Sequence, residues 1–170
     1  MRKLNIIVAV DESGGFGKNG KIPWHYSEDL KHFQDITNDN ICVMGRNTYQ
    51  DIAEMRYSKS SGTDLVKQTS ILPNRDCYVL SNTIKQLPDA HVSTSLHLIS
   101  FNAPYNKEIF VIGGEKLFIH ALTFTKKIYL TIVPGTYDCD RFFPIKVLNK
   151  WFKIESGEEK DGLKFMVYKR

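Results

Sequence analysis

Cysteine is scarce: Cys42, Cys77 and Cys139 are an odd set of three without CxxC spacing. A disulfide framework and a cysteine zinc site are thereby excluded as organising devices, and free, reduced thiols are expected. The five histidines contain no HExxH and no grouping with cysteine, so nothing argues for a bound metal. No apolar run approaches the roughly 18 residues of a membrane-spanning helix. Met1-Arg2-Lys3 leads into a short apolar stretch without a small-residue cleavage site, so a mature cytoplasmic protein with no membrane contact is expected. Net charge is +4, yet the basic residues gather only in pairs such as Lys126-Lys127. That is too thin for a nucleic-acid stripe but suits a small anionic molecule. At Gly113-Gly114 the dinucleotide fingerprint GxGxxG is not formed.

What is present is a chain of 170 residues, 42% hydrophobic, long enough to enclose one core, so residues 1–170 read as a single domain. Leu4 to Val10 is an apolar, β-branched run that reads as a strand buried on both faces. A glycine-rich loop follows from Glu12 to Lys21, closed by Ile22-Pro23-Trp24, and Ser27 is placed to cap a helix. Ile41 to Met44 breaks at Gly45 into a helical stretch through about Ile52. Cys77 to Leu80 forms a third strand, and Ile109 to Ile112 breaks at Gly113-Gly114 into a helix from Glu115 to Leu122.

Strand, glycine and helix recur in that order, the signature of parallel βαβ units. Lys127 to Val133, Trp151 to Glu158 and Lys164 to Lys169 then read as strands without helices between them, an antiparallel edge. The expected fold is therefore α/β: a mostly parallel central sheet flanked by helices, with an antiparallel C-terminal edge. Residues 54–71 are polar and weakly periodic, and read as an inserted surface loop.

Several positions carry possible chemistry. Apolar residues 30, 33 and 36 mark the inner stripe of the first helix, and Asp29 shares that face. The carboxylate either complements the positive helix end or is held inward for a purpose, since an unpaired buried charge is costly. Gly45-Arg46-Asn47-Thr48 could present free N–H groups and a guanidinium fork to a phosphate, or simply cap a helix. Gly113-Gly114 would let a pyrophosphate lie against main chain, or serve close helix packing. Arg75, after Leu72-Pro73-Asn74, could clasp a carboxylate or stand solvated in its turn. Asp140 reads equally as a turn residue.

Taken together, these motifs resemble the dihydrofolate reductase family over nearly the whole chain. The residues that carry the resemblance are Ile22-Pro23-Trp24, Asp29-Leu30 with Phe33, Met44-Gly45-Arg46 with Thr48, Pro73-Asn74-Arg75 with Leu80-Ser81, Val111-Ile112-Gly113-Gly114, Tyr129-Leu130-Thr131, and Asp140 with Phe143-Pro144. The resemblance implies NADPH-dependent reduction of 7,8-dihydrofolate by hydride transfer to C6, with N5 protonated by a water. Asp29 would grip the pterin as the one ionisable side chain deep in the pocket, Thr131 would brace it, and Trp24 would help hold the water. Ile7, Val8, Leu30, Phe33, Ile52, Leu72, Ile112 and Phe118 would surround the substrate, and Arg75 would hold its glutamate carboxylate.

For the cofactor, the resemblance implies Ala9, Phe16, Gly17 and Ile22 beside the nicotinamide. Gly45, Asn47, Thr48, Gly113, Gly114, Glu115, Lys116 and Leu117 would surround the phosphates. Arg46, Leu80, Ser81 and Asn82 would form the adenosine end, with Arg46, Ser81 and Asn82 on the 2′-phosphate. A monomer is implied. Phe118 departs from the tyrosine common at its place, and Gln34 and Glu54 replace basic residues seen in some relatives. A pyrimidine reductase of the same fold would not need Asp29 and Arg75 together. A binding protein that had lost turnover would not need Asp29, Trp24 and Thr131.

Overall fold

The apolar run Leu4–Asp11 forms β1, an inner strand of an eight-stranded sheet, in a computed structural model that describes residues 3–58 and 70–170. Along the chain follow β2 (Gly15–Gly17), α1 (Ser27–Thr37), β3 (Ile41–Gly45), α2 (Arg46–Tyr57), β4 (Asp76–Leu80), β5 (His91–Ser93) and α3 (Leu96–Asn102). Then come β6 (Ile109–Gly113), α4 (Glu115–Ala121), β7 (Thr125–Val133), β8 (Arg141–Phe142), α5 (Ile145–Trp151), β9 (Lys153–Lys160) and β10 (Leu163–Lys169).

The main sheet has the order β5-β4-β3-β6-β1-β7-β10-β9. Neighbours from β5 to β7 are parallel, while β10 runs antiparallel to β7 and β9 antiparallel to β10. Strand alternation divides the interior. Leu4, Ile6, Val8 and Val10 point to one face, where they pack with Val43, Leu130 and residues of α3, α4 and α5. Cys42, Met44, Tyr49, Ile71 and Val79 form a second core on the other face, beneath α2. Each fully buried aliphatic side chain contributes about 2 kcal/mol, so the sheet is a firm platform for its carboxyl-end loops.

The structure corrects four sequence expectations about these elements. Ser27 is the first helical residue; Tyr26 occupies the cap position, and no side chain caps that end. The loop from Glu12 to Lys21, for which a mobile or a tightly turned form was open, contains β2 paired with β8 and a bridge from Lys18 to Lys21. The second helix runs five residues past Ile52, to Tyr57. Residues 54–57 of the expected insertion are thus helix, Ile71 is fully buried, and residues 59–69 lie outside the described residues. The helix is prolonged because its last turn has work to do: Tyr57 donates to Asp89, and Arg56 to the Ile71 carbonyl. Finally, Trp151 ends α5 instead of opening a strand; Pro144 precedes this helix and Leu148 anchors it in the core. Strand β5 and helix α3 fall in a stretch whose short elements gave no clear period. Among the described residues, no helix is long and apolar enough to cross a membrane.

Candidate active site

Helix α1 stands partly away from the sheet: only Thr37 is buried, Phe33 and Ile36 are half-buried, and Leu30 is 46% exposed. Its apolar stripe therefore lines an open cleft and does not seal a core. Asp29 looks across that cleft and accepts a hydrogen bond from Thr131, which is 3% exposed on β7. Burial pushes the Asp29 carboxyl above its ordinary range, against the pull of the Thr131 hydroxyl and the charge of His32. His32 is a second ionisable group on this helix face, close enough for its charge to act on Asp29. The i, i+3 spacing brings both to one helix face, which the sequence pattern already contained.

Register decides which β1 residues share the face of Asp29. Ala9 lies opposite Thr131 and Ile7 opposite Tyr129, so both turn toward α1. Val8 lies opposite Leu130 and packs with it in the larger core; its side chain does not line the cleft, correcting the expectation. Phe118 is 1% exposed, wedged edge-on between Phe16 at 5.4 Å and Phe143 at 5.3 Å. It backs the wall behind Phe16 instead of offering open surface. Ile52, Leu72 and Ile112 gather against the second core, while Ile22 is 55% exposed at the loop edge. Trp24 packs on Tyr137 at 5.1 Å, and its indole N–H is buried without an acceptor among the described residues. A buried donor left over in this way calls for a water or a ligand group.

Arg75 is no solvated turn residue: it is 9% exposed, its Nε donates to Thr37 Oγ1 at 3.1 Å, and a terminal nitrogen donates to the Pro73 carbonyl. Its guanidinium lies over the Phe33 ring, 5.7 Å from the centroid. Arg75 is thus held rigidly at the end of the cleft bounded by Phe33.

A cavity of about 720 Å³ opens at the carboxyl ends of β4, β3 and β6, the place where parallel α/β sheets receive ligands. Gly45, Arg46, Asn47, Thr48, Leu80, Ser81, Asn82, Gly114, Glu115, Lys116 and Leu117 line it. Gly113 adopts φ +149°, and a Cβ there would lie 3.0 Å from Thr48 Oγ1. A Cβ on Gly114 would meet the same oxygen at 3.3 Å. The glycines therefore clear a main-chain cradle that any side chain would fill. The peptide between them is cis. Arg46 reaches Thr83 Oγ1 at 3.4 Å, whereas Ser81 Oγ accepts from the main chain of Thr83 and Ile84 and holds its own turn. Arg46, Lys116 and Arg141 supply positive charge, so the donor set fits the phosphates of a dinucleotide.

Thr83, Thr94 and Arg141 also line this cavity and were missed in the sequence reading. Thr83 continues a turn whose first members were recognised, but Thr94 and Arg141 had no local signal. Pairing of β8 with Gly17 brings Arg141 there from the far end of the chain. Asp140, beside it, accepts from the Asn19 amide at 2.9 Å and so ties two loops together. Asp11 plays a similar part at the end of β1. It is 0% exposed and accepts from the Ser13 hydroxyl at 2.7 Å, from the amides of Ser13 and Gly15 at 2.9 Å, and from the Tyr137 amide at 3.0 Å. Burial alone would raise its pKa, but these donors, led by the Ser13 hydroxyl, hold it below the ordinary value.

Fold and site together define a class: an α/β protein with a phosphate-suited, glycine-floored cavity and a half-buried carboxylate at the same end of one sheet. The sequence model of the dihydrofolate reductase family matches residues 3–58 and 65–170, and the chain belongs to that family. It is 31% identical over 181 aligned positions to the type 9 dihydrofolate reductase of Escherichia coli, covering 99% of this chain and 93% of that protein. To the dihydrofolate reductase of Schistosoma mansoni it is 30% identical, covering 90% and 84%. Among solved structures, a dihydrofolate reductase from Enterococcus faecalis complexed with NADP(H) and RAB-propyl superposes with a TM-score of 0.76 at 27% identity, covering 99% of this chain and 96% of that one.

Proposed function

We infer that this chain is an NADPH-dependent oxidoreductase that reduces 7,8-dihydrofolate to 5,6,7,8-tetrahydrofolate. The observation that carries the reading is the enclosed Asp29–Thr131 pair, facing a cleft next to the glycine-floored cavity. NADPH, when bound, supplies the hydride that reaches C6 of the pterin.

The chain's own residues supply grip, alignment and charge. Asp29 holds the 2-amino group and N3 of the pterin and polarises the ring, while Thr131 fixes the carboxylate's direction. Because that grip is on the far edge of the ring, the proton for N5 comes from a water, and Trp24, with its unpaired buried N–H, helps to hold it. Ile7, Leu30, Phe33, Ile52 and Ile112 bound the ring, and Arg75 takes the glutamate α-carboxylate. Ala9, Phe16, Gly17 and Ile22 flank the nicotinamide, and Gly113-Gly114 admits the pyrophosphate to the main chain. Arg46 with Asn82 and the Ser81 turn receives the 2′-phosphate, which favours NADPH over NADH. Residues 1–170 act as one domain, monomeric and cytoplasmic.

The test is oxidation of NADPH, followed by its near-ultraviolet absorbance, on addition of dihydrofolate. Dihydrofolate-dependent oxidation well above background is expected. NADPH binding without any such oxidation would overturn the reading.

A further inference from the structure

The register of β7, β10 and β9 sets Thr131, Phe165 and Glu158 abreast in one row across the sheet. Helix α1 meets that row twice. Asp29 takes the Thr131 hydroxyl, and His32, one turn on, lays its ring against Phe165 with centroids 4.4 Å apart and planes inclined by 43°. The spacing that sets Asp29 on this face of α1 therefore sets His32 there too.

We propose that His32 is a positioning residue for the reaction, acting through Asp29: imidazole and carboxylate form one coupled pair on the cleft wall, and the charge on His32 governs how readily Asp29 ionises. The charged groups that act on His32 are Asp29 and Asp35 from its own helix and Glu158 from β9, while β10 presents the apolar ring of Phe165. Burial holds the imidazole below its ordinary value, and the three carboxylates pull it back up. In return, protonated His32 draws the Asp29 carboxyl down from the position burial gives it. Two groups that interact in this way release their protons in steps that belong to the pair. The functional consequence is an extra ionisation on the acid limb of the pH profile. Only this kinetic consequence rests on the reading of the cleft as the substrate pocket; the coupling itself does not.

The experiment is an NMR titration of the imidazoles in the full chain, with the His32 signal identified by its loss in His32→Phe. In Asp29→Asn the His32 midpoint should fall by roughly half a pH unit or more, as expected for unit charges one helical turn apart in a partly solvated cleft. Glu158→Gln should lower it by less. In both His32→Phe and His32→Gln, the carboxylate midpoint in the pH profile of hydride transfer should rise by an amount comparable to the Asp29→Asn shift, because coupling is reciprocal. An identical His32 titration in the parent and in Asp29→Asn overturns the proposal. So does a parental profile in His32→Phe alongside a changed one in His32→Gln, which would make His32 only a ring packed on Phe165. A chain that shows the NMR coupling but does not reduce dihydrofolate would refute the functional reading and leave the pair standing.

Discussion

Two carboxylates at the same end of the sheet are treated in opposite ways. Asp11, at the tip of β1, is surrounded by donors from two loops and held below its ordinary pKa. Asp29, on a helix that stands off the sheet, receives one hydroxyl from Thr131, and burial pushes it upward. The contrast shows where hydrogen-bonding capacity has been spent and where it has been kept. A satisfied carboxylate fastens structure; an under-satisfied one is open to a ligand that can complete its bonds. The loops that Asp11 fastens include β2 and the segment before β8, and the pairing of β2 with β8 carries Arg141 to the cavity.

Asp29→Asn is the most direct way to break the comparison. Steady-state turnover of dihydrofolate should fall roughly 10²–10³-fold at neutral pH, the size of a lost electrostatic anchor. NADPH affinity, measured by fluorescence titration, should stay within about twofold. Equal loss of both would make Asp29 a structural residue like Asp11.

Asp11→Ala should destabilise the fold by about 3 kcal/mol in urea unfolding, since several buried donors lose one shared acceptor. Because the folded pKa of Asp11 is lowered, its contribution is present above the unfolded value and lost as pH falls through the folded one. Parent and variant should therefore converge in stability only in acid, below the ordinary range of an aspartate. A gap that persists there would show that packing, not charge, is what Asp11 contributes.

Arg46→Ala tests the separation of the two pockets. It should raise the Michaelis constant for NADPH about tenfold more than that for NADH, the loss of one charge-assisted contact, with the dihydrofolate constant little changed. An equal rise for both cofactors would remove Arg46 from the 2′-phosphate.

The smallest expected effect has the opposite sign. The raised pKa of Asp29 means that its contribution to stability is present at low pH and lost as pH rises through the folded value. At neutral pH Asp29→Asn should thus raise the melting temperature by a degree or more, on the order of 0.5 kcal/mol. A lowered melting temperature would put Asp29 in the same class as Asp11.

Much of this was legible in the chain, but unevenly. The runs at Leu4, Ile41, Cys77 and Ile109 declared their strands because apolar, β-branched stretches ending in glycine or a turn leave few alternatives. Short elements without a period, such as β5, α3 and α5, stayed hidden. The helix α2 was cut short at Ile52 because its last turn is polar outward and owes its order to Asp89, over 30 residues away. At the site, Asp29, Thr48, Arg46 and the two glycines stood out from local pattern. Val8 was assigned to the wrong face, since only the register opposite Leu130 shows which way it points.

The sequence by itself determined the order of the longer strands and helices, the glycine pair and the face of α1 that carries Asp29, because these depend on propensity and on spacing within a few residues. The tertiary structure decided the rest. It brought Arg141 to the cavity through β-pairing with Gly17, gave Asp11 its partner Tyr137 from 126 residues away, and laid His32 across Phe165 beside Asp29. Contacts between distant segments leave no periodic trace in a single chain, and they complete what local donors begin at Asp11 and decide what Asp29 faces.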